Sequence, residues 1–95
     1  MTQITISIPT PLRAYTNQQK RVEIINEVKV VSALNSLVEK FPNLKGHLFA
    51  DNKLRNFVNI YLNDEDIRYL DLKENSSLNC GDTLSIIPAL AGGIL

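Results

Sequence analysis

The chain has 95 residues, 44% hydrophobic and 21% charged, a composition that excludes intrinsic disorder and is enough for one core in one domain. Ten Lys+Arg against ten Asp+Glu give a formal net charge of zero, which argues against a protein whose main task is neutralising nucleic-acid phosphates. One Cys and one His exclude a disulfide framework and a closed structural zinc site. No basic segment followed by an apolar run opens the chain, so a secretory signal is not expected and the cytoplasm is the default location.

The first element is a strand: Ile4, Ile6 and Ile8 alternate with Thr5 and Ser7. Pro9 and Pro11 remove backbone donors and stop it. Residues 12–19 read as a polar, turn-rich connection. Val22 and Ile24, alternating with Arg21 and Glu23, then form a second strand that returns antiparallel to the first. The period changes next, because Leu34, Leu37, Val38 and Phe41 fall at i, i+3, i+4 and i+7, the apolar stripe of an amphipathic helix. Ser32 is a possible N-cap, although Val30-Val31 suggests an earlier start. Pro42 ends the helix by disfavouring helical geometry at Phe41.

Residues 42–56 are ambiguous: a short helical turn through Leu44 and Leu48 is expected, then a polar loop. Residues 57–62, dense in aromatic and β-branched side chains, form the clearest strand. Asn63-Asp64-Glu65-Asp66 reads as a turn, with Ile67 to Tyr69 returning as a short strand. A polar excursion between Leu72 and Leu78 leads to a Gly81-Asp82 turn and a last alternating strand over residues 83–87. This order predicts an α+β domain in two layers, a mixed sheet of four to five strands with one main helix packed on one face. A crossover through the helix would set a later strand parallel to the first. That is the β-grasp, or ubiquitin-like, arrangement, expected over residues 1–88, with residues 89–95 as a flexible tail.

The candidate chemical groups are few. His47 has no nucleophile or second ligand spaced to support it, so it reads as an ordinary loop residue rather than a general base. Cys80 has no cationic group or helix start nearby in sequence to lower its pKa, which favours an inert thiol. Asp64, Glu65 and Asp66 lack the Gly and Glu spacing of a calcium loop and read as a solvated hairpin tip, and no metal site is expected. The four glycines form no phosphate-cradling loop, and no catalytic residues are assigned: the chain is not expected to be an enzyme.

The end of the chain is different. No charge follows Asp82, and Gly92-Gly93 stands after Pro88-Ala89-Leu90-Ala91. Two residues without Cβ can lie extended in a channel too narrow for any other side chain. An ordinary flexible tail would read the same way on composition alone. If Val58, Ile60 and Leu62 face the helix, then Phe57 and Tyr61 point to the opposite sheet face. Ile87 joins them there, so that Phe57, Tyr61, Ile87, Leu90 and Ala91 form a candidate partner interface leading to the tail.

The chain resembles the MoaD/ThiS ubiquitin-like sulfur carriers, and within them the thiocarboxylate carriers of cysteine biosynthesis. The resemblance rests on Ser7-Ile8-Pro9-Thr10, Leu12-Arg13, Gln19-Lys20, the run from Phe57 to Arg68, Gly81-Asp82, and Pro88 to Gly93. It implies that Gly93, preceded by Gly92, is adenylated at a free carboxylate and converted to a thiocarboxylate. ATP is used by the partner, and no cofactor is bound by the carrier. Active family members end at the second glycine, whereas this chain continues with Ile94-Leu95, which the resemblance marks as a segment for a JAMM-type zinc metalloprotease to remove. The other implied partners are an E1-like adenylating enzyme of the MoeB/ThiF type and an acceptor such as a PLP-dependent cysteine synthase. No nucleic acid or membrane is implied. Homocysteine, molybdopterin or thiazole synthesis, a ubiquitin-like modifier, and a β-grasp domain that only binds remain the alternatives.

Overall fold

The computed structural model describes residues 2–51, 53–55 and 58–88. Strand β1 is Gln3–Ser7, β2 is Arg21–Ile25, and helix α1 is Val30–Lys40. A short helix α2, Lys45–Leu48, leads into a two-residue hairpin of β3, Phe49–Ala50, and β4, Lys53–Leu54. Strand β5 is Val58–Leu62, β6 is Glu65–Asp66 and β7 is Thr83–Pro88. The main sheet has the order β2-β1-β7-β5-β6. β7 runs parallel to β1 and antiparallel to β5, so the last strand of the chain occupies the centre of the sheet.

The apolar alternation becomes burial. Ile4, Ile6, Ile8, Val22, Ile24, Val58, Ile60, Leu84 and Ile86 are all buried on one sheet face. They meet Val30, Ala33, Leu34, Leu37 and Val38 of α1 in a single core. Each fully buried Ile or Leu contributes about 1.5–3 kcal/mol relative to exposure. α1 begins at Val30 without a side-chain cap, and its first turn is tied instead by the Val30 N–H donating to the Ser76 carbonyl at 3.0 Å. Phe41 leaves helical geometry at φ −130°, as Pro42 requires.

Four local expectations are corrected. Residues 67–69 are a 3-10 turn rather than a strand, and the returning strand is the preceding pair Glu65–Asp66, opposite Leu62 and Tyr61. Asp66 accounts for the change: its Oδ1 accepts the Arg68 N–H at 2.9 Å, capping a turn where a ladder would otherwise continue. The polar loop expected after Leu48 contains the β3–β4 hairpin, turned at Asp51 with φ +53°. A 3-10 segment, Thr10–Tyr15, takes up the first part of the connection expected over residues 12–19. His47 belongs to α2 rather than to a loop, and its ring lies against Tyr15, centroids 4.4 Å apart.

Candidate functional site: the end of the sheet where the tail departs

β7 is fixed at its start by a polar clamp. Gly81 takes φ +93°, which an L side chain rarely adopts, and its N–H donates to the Gln3 carbonyl at 2.8 Å. Asp82 Oδ2 accepts the Asn79 N–H at 2.8 Å, while its Oδ1 accepts from Asn63 Nδ2 at 3.3 Å. Asn63, at φ +57° in the β5–β6 turn, accepts the Thr83 N–H on its own Oδ1 at 3.1 Å. These bonds set the register of β7 against both neighbours, and therefore where the chain leaves the sheet.

The face of the sheet away from α1 is small and polar at its centre. Ser7 lies beside Ser85 and Thr5 beside Thr83. Tyr61 is opposite Ser85 and Asn59 opposite Ile87, which places Tyr61 and Ile87 on the same face as diagonal neighbours. Ile87 is 44% exposed and Tyr61 half-buried. Beside Tyr61, the Arg68 guanidinium donates from Nη2 to Asp66 Oδ2 at 2.8 Å. This bond, with the backbone one, holds the Asp66 carboxyl below its ordinary pKa against the opposing cost of burial. Phe57, Leu90, Ala91, Gly92, Gly93, Ile94 and Leu95 lie outside the described residues.

The other candidate groups do not assemble into a site. Among the described residues no three His, Cys, Asp or Glu side chains are grouped to hold a metal. No helix of the described residues is long and apolar enough to cross a membrane. Cys80 is exposed and free, one residue before Gly81. Asp64 and Glu65 are exposed, while Asp66 is turned to Arg68.

What the sequence reading missed is a collection of cations at the exit end. The Ile8 N–H donates to the Lys20 carbonyl at 2.8 Å, Arg13 Nε donates to the Ile8 carbonyl at 3.0 Å, and Arg21 pairs with Ser7. On the other side, Val58 pairs with Pro88 and donates to the Arg55 carbonyl at 3.1 Å. Arg55 in turn binds the Gly46 carbonyl through Nε at 2.8 Å, in the helix that also holds Lys45 and His47. The signal was available: a hairpin loop that follows a strand parallel to the last strand lies at the last strand's C-terminal end.

The ThiS family profile matches residues 6–93. The chain belongs to the ThiS family. It is 36% identical to the sulfur carrier protein CysO of Mycobacterium tuberculosis over 93 residues, covering 95% of this chain and 98% of that protein. A chain of the Amycolatopsis orientalis BexX/CysO complex superposes with a TM-score of 0.83 and 37% identity, covering 95% of this chain and 99% of that one. The small archaeal modifier protein 1 of Methanosarcina acetivorans superposes with a TM-score of 0.86 and 27% identity, covering 98% of each chain. This ThiS-family chain therefore has the ubiquitin-like β-grasp, with its sheet of five strands and a helix across one face.

Proposed function

We propose that the chain is a sulfur carrier whose Gly93 carboxylate, freed by removal of Ile94-Leu95, is activated by an E1-like adenylating enzyme. The carboxylate oxygen attacks the α-phosphorus of ATP and expels pyrophosphate, giving an acyl-adenylate. A sulfide-level nucleophile such as hydrosulfide then attacks the acyl carbon, the acyl–oxygen bond to AMP breaks, and loss of the S–H proton leaves a thiocarboxylate. The single observation that supports this is the family match, which runs from the first strand through Gly92 and stops at Gly93. The likeness to CysO over nearly the whole chain favours delivery of that sulfur in cysteine or homocysteine biosynthesis, with a PLP-dependent synthase as acceptor and a JAMM-type protease as processing enzyme. The carrier itself is a protein cosubstrate. Its fold supports that role, because the reactive end hangs from the strand held on both sides by neighbours.

The test is the intact mass of the protein from its native cells under sulfur limitation. Loss of Ile94-Leu95 with one terminal oxygen replaced by sulfur is expected, and a full-length unmodified mass overturns the proposal. The likeness to an archaeal modifier protein supports a second reading, in which Gly93 is joined to lysines of other proteins. Trapping an isopeptide adduct in place of a thiocarboxylate would select it.

A further inference from the structure

The net charge of zero conceals an uneven placement of charge, and the tail leaves from an end rich in Arg and Lys. Contacts follow one another around its point of departure: Ser85 to Ser7 to Arg21, Ile8 to both Lys20 and Arg13, Tyr15 to His47, and Gly46 through Arg55 and Val58 to Pro88. Lys20, Arg21 and Lys45 are exposed, and Arg13 is partly so. None of these four forms an ion pair with a described residue. Glu39, in the last turn of α1 beside Lys40, lines the same cavity as Lys45, and Asp51 turns the hairpin that follows α2, so the cations outnumber but do not exclude acidic groups at this end. The opposite end of the sheet, where β5 turns into β6 and the clamp begins β7, presents Asp64, Glu65 and Asp82.

The tail itself has no charge after Asp82, so it exerts no long-range attraction of its own. Any electrostatic orientation of a tail-first encounter must come from the domain behind it. Charges act over about 8 Å at physiological ionic strength, so those nearest the tail dominate at contact.

We propose that this basic end is a steering surface, and that its partner is an acidic rim around the tail-receiving channel of the adenylating enzyme. This rests on the adenylation reading above. The acidic far end is too distant from that rim at contact to contribute much, so the charges at the exit select the orientation in which Gly93 enters first. The effect belongs to encounter and docking rather than to chemistry at the carboxylate.

The experiment uses the chain ending at Gly93, the E1-like enzyme of the same organism, and ATP–pyrophosphate exchange over an ionic-strength series. A Lys20→Glu/Arg21→Glu variant is expected to raise the KM for the carrier about tenfold at low salt, with kcat unchanged and the difference fading as salt rises. Lys45→Glu, on a separate element, is expected to act in the same direction, so that a folding defect of the β2 variant cannot decide the matter. Asp64→Lys/Glu65→Lys, at the far end, is expected to keep KM within about twofold. Exchange indifferent to Lys20, Arg21 and Lys45 would overturn the steering surface and leave adenylation standing. A KM lowered by the far-end variant as much as the exit-end variant raises it would show an effect of net charge alone, and would also overturn it. No exchange with the unaltered chain would overturn the adenylation reading and this inference with it.

Discussion

Asn63 and Asp82, nineteen positions apart, are joined side chain to side chain where the central strand begins, and Asn63 also receives the Thr83 N–H on its amide oxygen. One asparagine therefore closes the β5–β6 turn at φ +57° and sets the register of β7. Asn63→Ala is expected to cost about 1–2 kcal/mol in urea unfolding, through both the left-handed backbone and the lost bonds. Asn63→Gly restores the backbone freedom but not the clamp, so it should recover only part of that loss.

Gly81 and Gly46 separate backbone strain from space. An added Cβ meets nothing within 4 Å at either position, but only Gly81 has a positive φ, +93°. Gly81→Ala is therefore expected to destabilise by about 1–2 kcal/mol. Gly46→Ala, inside α2, is expected to be neutral or to stabilise by up to about 1 kcal/mol. Thermal melting of the two variants side by side checks both signs.

Adjacent residues of β7 should behave oppositely. Ile86 is buried and Ile87 is 44% exposed. Ile86→Ala is expected to cost about 2–4 kcal/mol, and Ile87→Ala less than about 1 kcal/mol. Tyr61→Glu and Leu90→Glu are expected to leave the fold intact and weaken adenylation, if the candidate interface of Phe57, Tyr61, Ile87, Leu90 and Ala91 meets the adenylating enzyme. Unchanged exchange kinetics in both would remove the apolar face from the docking interface.

Acid should loosen the turn after β6. The Arg68 side-chain bonds hold the Asp66 carboxyl below its ordinary value near 3.9, so its contribution to stability is fully present above that pH. The contribution is lost as pH falls through the depressed value of the folded state. Asp66→Asn should lower stability at neutral pH, and its difference from the parent should shrink as pH falls below about 4. Parallel denaturation curves of parent and variant across the acid range check this.

Much of the fold was legible because its larger elements are periodic. Ile4-Ile6-Ile8, Val58-Ile60 and Leu84-Ile86 alternate, and Leu34-Leu37-Val38 follow the helical period, so burial could be assigned before any contact was known. Strands of two residues have no period to read. Phe49–Ala50 and Lys53–Leu54 therefore carry no strand signal in the sequence, and the pattern after Asn63 points to a return two residues later than Glu65–Asp66. The 3-10 turn at residues 67–69 depends on one side chain, Asp66, choosing its own backbone over a ladder, a competition that composition does not resolve.

Sequence by itself determined the two-layer architecture and the uncharged diglycine tail, because hydrophobic periodicity and residue identity are local properties of the chain. Only the tertiary structure decided that Arg13, Lys20, Arg21 and Lys45, spread over thirty-two positions, gather where that tail departs, while Asp64 and Asp82 gather at the other end. The physical reason is strand order. Placing β7 parallel to β1 in the middle of the sheet brings the β1–β2 loop to its C-terminal end and the β5–β6 turn to its start. Charges that cancel along the chain are thereby separated in space.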